Sequence, residues 1–498
     1  MRISRRQLAG TGAIALVAAS AAGGGAGAQD RFEQSDRETR LLSRAAGGGF
    51  PNGASRNPAI SQDRQLARAA AYESDASDIV KGDSNGVTDV FVVHRKRPYS
   101  LNGEPWRAAA TVLASRSSGG AAANGASTNP DISGDREHAP RCVAFLSDAT
   151  NLVKGDTNRR RDAFVHDLAT RRTTRVSLTR SGRQSSGTAS EVRIDGGCTR
   201  VAFVSDASGR RQVYLRDLRK GTTTLVSRSR GGRAGNADSY DIALSKRRSG
   251  GGPADAVAFT SESTNLHSAD RTGTRDVYVR RGGSLLLASV TAKGRPGNGH
   301  SDQPALSDGG KYVAFRTEAT DVLKGDRNPG SDVVRALVGR PGTARWVSKS
   351  QAVNQPGDAP SANPAMGAPG SPVIFESLAS NLQSTVSSSF ADRNQSGDVF
   401  YWNHVSFNVS LQSRDSDNEI PNVPQRSSFG HVAHAPALDP ATSSLGNYML
   451  FDAAYPLMDL PVAASDLPQY AGQPRAAATA SHERPELRQV YLRYIGRR

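Results

Sequence analysis

Five loops of this chain carry closely spaced Asp and Asn side chains, which are residue types that hold hard cations through oxygen. Three of them read "DSNGVTD" from Asp83, "DTNRRRD" from Asp156 and "DRNPGSD" from Asp326. Calcium takes about six to eight oxygens, and this spacing can deliver three of them. The candidate calcium ligands are Asp83, Asn85, Asp89, Asp156, Asn158, Asp162, Asp326, Asn328, Asp332, Asp392, Asn394 and Asp398, with Asp270, Thr272 and Asp276 as a looser set.

The same spacing also suits an Asx turn, in which the first side chain caps its own backbone. Two repeats have Gln in place of the final Asp, at Gln212 and Gln489, and neither has the Asp-x-Asn pair; the looser set keeps both acids with Thr272 in place of Asn. In those two repeats the pair and the final acid are lost together, which fits a shared ion and a shared hydrogen-bond network alike. Arginines such as those in "TNRRRD" would repel a cation, so we favour the structural turn and keep calcium as the alternative.

These loops belong to an internal repeat that is recognised by an apolar run ending in an aromatic residue. The run reads VAF four times, with AAY, VIF and MLF as variants. Before it stands a segment such as "NPAIS" or "QPALS", and after it come the loop, a run such as "DVFV" and a Thr-rich run. The aromatic residues of the seven copies are Tyr72, Phe145, Phe203, Phe259, Phe315, Phe375 and Phe451.

Each copy contains four short runs rich in Val, Phe, Tyr and Thr, bounded by turn residues, which is typical of strands. Four antiparallel strands per repeat predict an all-β fold, a seven-bladed β-propeller of four-stranded blades. The blades are expected to start near residues 57, 129, 190, 238, 302, 362 and 434. The last copy lacks its fourth strand, and "ETRLLSR" from Glu38 matches it, so an N-terminal strand near 38–45 is expected to complete the last blade.

The stretch "VAFLSDATNLVKGDTNRRRDAFVHDLATRRTTRVS" resembles the TolB-like, WD40-like propeller repeats of exported bacterial proteins. The resemblance extends over roughly residues 38–495. It implies a propeller and a binding surface, and it implies no reaction, because propellers carry unrelated functions. Some relatives pair the propeller with a serine peptidase; in this sequence the G-x-S-x-G pattern occurs once, as "GDSNG" from Gly82, inside one of the Asp-x-Asn loops of the repeat.

The first 28 residues resemble a twin-arginine export signal, with "SRRQLAG", an Ala-rich middle and a small-residue cleavage site. We therefore expect one propeller over residues 29–498, exported to the periplasm, envelope or exterior, with no transmembrane segment after signal removal. The formal charge of +16 includes Arg2, Arg5 and Arg6 of that signal, which leaves +13. This charge favours anionic partners. No nucleic-acid motif is present, so nucleic acid is not expected as a partner.

Two cysteines and nine histidines are the remaining candidates for chemistry. Cys142 and Cys198 stand before the VAF run of adjacent repeats, and export permits a disulfide between them; two separate buried thiols are the alternative. His431 and His434 form an H-x-x-H pair without further metal ligands, and we interpret them as loop residues.

Insertions between strands indicate where ligands bind, because binding residues concentrate on loops held by a rigid scaffold. The longest runs from "YPLMDLP" to "ERPELR" in the seventh repeat, and "RKRPYSLNGEPWR" extends the first. We expect a monomeric binding or scaffold module, not an enzyme, for a protein or an anionic envelope polymer at the channel mouth. The alternatives are a carbohydrate-active propeller enzyme, a glycan lyase or hydrolase, and a calcium-stabilised surface adhesion protein.

Overall fold

The chain folds into short antiparallel strands, with one 3-10 turn (Asp308–Gly310) as its helical element in the part described. The computed structural model describes residues 39–62, 67–97, 108–247, 254–328, 330–350, 355–367, 370–382, 397–404, 407–412, 437–438, 448–453 and 488–494. All of them belong to one compact unit, Asp36–Arg498. Within these ranges, no helix has the length and apolar character needed to cross a membrane.

Six four-stranded sheets are each built from consecutive strands, paired in the order of the chain. We call them blades 1 to 6, and within each blade the first strand is innermost. Blade 1 contains β2 (Ser55–Ile60), β3 (Ala69–Ser74), β4 (Asp89–Arg95) and β5 (Ala108–Leu113); blade 2 contains β6 (Ser127–Ile132), β7 (Cys142–Ser147), β8 (Asp162–Asp167) and β9 (Arg172–Arg175). Blade 3 contains β10 (Ala189–Ile194), β11 (Arg200–Ser205), β12 (Gln212–Asp217) and β13 (Thr222–Leu225); blade 4 contains β14 (Ser239–Leu244), β15 (Ala256–Ser261), β16 (Asp276–Arg281) and β17 (Ser284–Leu287). Blade 5 contains β18 (Ser301–Leu306), β19 (Tyr312–Thr317), β20 (Asp332–Leu337) and β21 (Arg345–Trp346); blade 6 contains β22 (Ser361–Met366), β23 (Val373–Ser377), β24 (Asp398–Trp402) and β25 (Val409–Leu411).

The apolar runs form the second strand of each blade because both of their faces are covered by neighbouring sheets. Every residue of β7 is buried, whereas the outermost strand β9 alternates between exposed and buried positions. The aromatic residue of the second strand stacks on that of the third, as in Phe145 and Phe164, whose ring centroids are 5.9 Å apart. The hydrophobic core therefore lies between successive blades, where the apolar side chains on one face of a sheet pack against those of the next sheet.

The remaining sheet joins the two ends of the chain. The N-terminal strand β1 (Thr39–Leu41) pairs with β28 (Gln489–Tyr494), which pairs with β27 (Tyr448–Ala453) and then with β26 (Ala437–Leu438). We call it the closing sheet. The prediction of an all-β propeller of four-stranded blades is confirmed. The N-terminal strand β1 pairs with the last strand of the chain, as predicted.

The expected count of seven blades is corrected to six blades of consecutive strands and one composite closing sheet. The composite sheet has a short edge on each side, because β1 spans three residues and β26 two. The length of β1 depends on its pairing with β28 at the other end of the chain, which the sequence pattern did not fix.

A disulfide links blade 2 to blade 3 on the face opposite the Asp-x-Asn loops. Cys142 begins β7 and Cys198 lies in the turn between β10 and β11, and their Cα atoms are 5.8 Å apart. That distance lies within the usual range for a bonded pair. Blades 2 and 3 are therefore fixed to each other covalently as well as by packing.

Candidate functional site

One buried polar side chain begins the third strand of blades 1 to 5 and of the closing sheet, and it bonds to a serine that follows the fourth strand. In blade 2, Ser177 Oγ donates to Asp162 Oδ1 at 2.5 Å and accepts the N–H of Ala163 at 3.0 Å. Blade 3 has Gln212 instead, and Ser227 Oγ donates to its Oε1 at 2.7 Å. The same pairs recur as Asp89 with Ser115, Asp276 with Ser289, Asp332 with Ser348 and Gln489 with Ser43.

The Asn of the Asp-x-Asn loop performs the second task of the glutamine. In blade 3, Gln212 Nε2 donates to the carbonyl of Gly235, eight residues after Ser227, at 3.2 Å. In blade 2 the corresponding carbonyl is that of Ser185, and Asn158 Nδ2 donates to it at 3.0 Å. A carboxylate only accepts hydrogen bonds, so a blade with Asp needs an amide from elsewhere. In blades 1 and 2 the Asp–Asn pair thus replaces one glutamine, whereas blade 4 has Thr272 where these blades have Asn.

The loops differ in which side chain donates to their paired carboxylates. In blade 2 the guanidinium of Arg175 lies between Asp156 and Asp162, with N–O distances of 3.1 and 3.3 Å. In blade 1, Asn85 Nδ2 donates to Asp89 Oδ2 at 2.5 Å. The calcium assignment therefore remains a prediction for these loops, and two of them hold a donor of the chain where an ion would bind.

Burial acts on the same carboxyl groups. It raises the pKa of Asp89 to about 6 and that of Asp276 to about 7, in spite of the serine bond that each accepts. Asp398 is also fully buried at the start of β24. Asp392 and Asn394 of the same predicted set lie outside the described residues, as do His431, His434, most of the blade 1 insertion and the long insertion between β27 and β28.

The inner strands of blades 1 to 6 line a central cavity of about 460 Å³. At its wall, side chains of one blade accept the backbone N–H of a bulged residue in the next. Glu73 Oε2 accepts from Asn129 at 2.7 Å, and Glu191 Oε1 accepts from Asp241 at 2.8 Å. The bulged residues take a positive φ of about 50°, which Asn and Asp adopt more readily than most side chains.

Lys246 crosses this cavity wall and joins three blades. Its Nζ contacts Asp131 Oδ1 of blade 2 at 2.8 Å, and it donates to the carbonyls of Ile132 at 3.0 Å and Ile194 of blade 3 at 3.1 Å. The ammonium therefore has its hydrogen-bonding capacity satisfied. The carboxylates of the cavity wall and Lys246 serve contacts between blades, and no histidine is among the described residues that line the cavity.

A second cavity of about 560 Å³ opens between blades 2 and 3, where the loop of blade 3 is short. Six residues (206–211) connect β11 to β12, against fourteen (148–161) between β7 and β8. The longer loop of blade 2 places Leu152 in the hydrophobic core beside Phe145 and Phe164. Blade 3 has no counterpart of this leucine.

Because this leucine is missing, the ring of Tyr214 at the base of the cavity in blade 3 is accessible. Tyr214 stacks on Phe203 with ring centroids 5.4 Å apart, and it is only half-buried. Its counterparts on the third strand of the other blades are fully buried: Phe91, Phe164, Tyr278, Val334 and Phe400. We call this cavity the blade 3 cleft, and its wall also carries Thr179, Arg180, Ser185, Ser205, Thr223, Thr224 and Arg228.

A neighbouring cavity of about 870 Å³ lies between blades 3 and 4 and shares Arg228 with the blade 3 cleft. It adds the exposed side chains of Arg230 and Arg271. Among the ion pairs formed by described residues, none involves Arg180, Arg228, Arg230 or Arg271. The two cavities thus form a continuous, positively charged rim. Sequence reasoning missed this site, although the short loop of blade 3 was a visible signal for it.

No protein-family model matches this chain, and no curated protein is similar to it in sequence. Similar solved structures include the β-propeller domain of the Trilobed protease from Pyrococcus furiosus, at 10% identity over 82% of this chain and 92% of that one, with a TM-score of 0.43. An oligogalacturonate lyase has 10% identity over 92% of this chain and 96% of that one, with a TM-score of 0.44. A putative TolB from Agrobacterium tumefaciens has 14% identity over 58% of this chain and 81% of that one, with a TM-score of 0.35.

TolB structures are among these matches, and the β-propeller that the resemblance implied is the fold that the sheets of this chain show. At such identities and TM-scores the likeness concerns the fold alone. The function has to be argued from the cavities and side chains of this chain.

Proposed function

We propose that this chain is an exported binding module that holds an acidic polysaccharide of the cell envelope in the blade 3 cleft. The observation that carries the proposal is the half-exposed Tyr214 ring on the floor of a cavity whose counterparts in other blades are filled. A sugar ring has an apolar face that can lie on an aromatic ring, and its hydroxyl groups can bond to the Thr and Ser side chains of the wall. Its carboxylate would be held by Arg180 and Arg228, since guanidinium groups recognise carboxylates through paired hydrogen bonds.

A polymer rather than a single sugar is favoured by the adjoining cavity. Arg230 and Arg271 continue the positive rim from blade 3 towards blade 4. A chain of uronic acid residues could follow this rim with successive carboxylates. Binding of this kind weakens with salt, because exposed charges are screened over about 10 Å at 0.1 M ionic strength.

The scaffold supports a rigid binding site on the outside of the propeller. We infer that the closing sheet acts as the seventh blade of a closed ring, and that the disulfide between blades 2 and 3 fixes the two walls of the cleft. Disulfides persist in oxidising compartments, which agrees with the export signal expected in residues 1–28. A binding role is favoured over catalysis because the described carboxylates of the central cavity are engaged in contacts between blades.

The test is the affinity of the full chain for alginate oligomers, which are polyuronates, with neutral cello-oligomers of equal length as the comparison ligand. We expect Tyr214→Ala and Arg180→Gln each to weaken alginate binding at least tenfold, or about 1.4 kcal/mol. The matched control is Arg219→Gln, which removes an exposed arginine from the opposite face of blade 3. Equal affinity for both ligands, or equal loss in the control, would contradict the proposal, and binding of a protein ligand instead would redirect it.

A further inference from the structure

Three oxygens of the blade 5 loop are buried and accept no hydrogen bond. They are Asp326 Oδ1, Asn328 Oδ1 and Asp332 Oδ2. Asp332 is fully buried, and its other oxygen accepts from Ser348 at 2.8 Å. The amide nitrogen of Asn328 donates to the carbonyl of Gly357 at 2.9 Å, so the amide oxygen is the atom left without a partner. A buried carboxylate or amide oxygen without a partner is costly, which points to a missing positive group.

Sister loops in the same chain fill this position with a donor of their own. Blade 2 uses the guanidinium of Arg175. Blade 4 uses hydroxyls: Tyr278 donates to Asp270, and Thr274 Oγ1 donates to Asp276 Oδ2 at 3.2 Å. Both solutions place a positive charge or an O–H group between the paired carboxylates.

Blade 5 has lost each of these donors and kept the acids. In blade 2, Arg175 lies opposite Phe164 on the neighbouring strand. In blade 5 the corresponding pair is Trp346 opposite Val334, so tryptophan replaces the arginine. Val334 itself stands where blade 4 has Tyr278, two residues after the buried Asp. Gly330 stands where blade 4 has Thr274. The chain therefore offers three oxygens here and removes the groups that would satisfy them.

We propose that the blade 5 loop binds one calcium ion through Asp326, Asn328 and Asp332. Calcium accepts carboxylate and amide oxygens in irregular loop geometry and completes its shell with carbonyls and water, whereas magnesium demands a near-ideal octahedron. The set contains two carboxylates and one amide, and the described residues hold no larger group of acids, His and Cys suited to a metal. The ion would take the place that Arg175 has in blade 2. The inference is independent of the blade 3 cleft, because it concerns another blade and another ligand.

Trp346 provides a direct optical test. A Cβ placed on Gly325 would lie 3.9 Å from the indole ring, so this tryptophan lies beside the loop. Terbium stands in for calcium and emits when a nearby excited indole transfers energy to it. We expect the full chain to show saturable terbium emission on tryptophan excitation, displaced by calcium, and Trp346→Phe to lose the emission while calorimetry still detects calcium binding.

The ligand variant is Asp326→Asn, which keeps the shape of the half-buried side chain and removes its charge. It should weaken calcium binding at least tenfold without lowering the melting temperature measured in EDTA. The matched control is Asp83→Asn, the same position in blade 1, where Asn85 already bonds to Asp89; it should leave calcium affinity unchanged. No calcium binding by calorimetry, or equal affinity in Asp326→Asn and the unmodified chain, would overturn the proposal, as would emission that survives in Trp346→Phe.

Discussion

At the scale of single residues, the first side chain of each third strand determines what the preceding loop must contain. A glutamine side chain both accepts and donates. Gln212 accepts a hydrogen bond from Ser227 and donates one to the carbonyl of Gly235, so it needs no second side chain. An aspartate can only accept, and in blades 1, 2 and 5 an asparagine of the loop supplies the donor, whereas blade 4 has Thr272 at that position. The sequence showed that these residues vary together, but it could not distinguish a shared ion from shared hydrogen bonds, because both require the same residue types.

Asp89 predicts how stability depends on pH at one such position. Burial raises its pKa to about 6, above the value of about 3.9 in an unfolded chain. The folded state therefore retains a proton that the unfolded state releases between pH 4 and 6. The unfolding free energy contributed by this group falls as pH rises through that window, by about 3 kcal/mol for two pKa units. Asp89→Asn removes the titration, so we expect its stability relative to the unmodified chain to rise by up to about 3 kcal/mol from pH 4 to pH 7.

The measurement is urea unfolding at a series of pH values. Asp167→Asn is the control, because the Arg141 hydrogen bonds, acting against burial, lower the pKa of Asp167, which then titrates below pH 4. Parallel stability curves for Asp89→Asn and the unmodified chain between pH 4 and pH 7 would contradict the expectation.

At the scale of elements, strand identity followed directly from sequence, whereas loop function did not. The period-two apolar runs become the buried second strands because both faces are covered, and the incomplete last repeat correctly predicted the role of β1. The blade 3 cleft was not predicted, because it arises where the short loop 206–211 lacks the leucine that fills the same position in blade 2. An N-terminal strand near 38–45 was expected, and β1 covers Thr39–Leu41, because its length depends on pairing with β28 at the other end of the chain.

The closing strand offers an element-scale prediction. Leu42 follows β1 and packs in the cluster that contains Leu450, Val490 and Leu492. We expect Leu42→Ala to lower the unfolding free energy by about 2–4 kcal/mol, because it leaves a cavity in the sheet that joins both ends of the chain. Leu285→Ala, on the partly exposed outer strand of blade 4, should cost less than half of that in the same urea experiment. A cost below about 1 kcal/mol for Leu42→Ala would mean that β1 contributes little to closure of the ring.

At the scale of the whole molecule, the repeats make a uniform scaffold and the departures from the repeat carry the proposed functions. Blade 3 departs by a short loop, which opens the cleft beside Tyr214. Blade 5 departs by losing the donors of its loop, which leaves three oxygens for a cation. Under the proposed binding role, Arg180 and Arg228 present part of the positive charge of the chain to the ligand in the cleft.

The most direct measurement is the alginate affinity of a loop-exchange variant. Residues 206–211 of blade 3 would be replaced by residues 148–161 of blade 2, together with Gln212→Asp, so that the transplanted leucine fills the cleft and the Asp–Asn pair replaces the glutamine. If the ligand binds in the cleft, calorimetry on this folded variant should detect a loss of affinity of at least tenfold while the melting temperature is maintained. Unchanged alginate affinity in the folded variant would contradict the account.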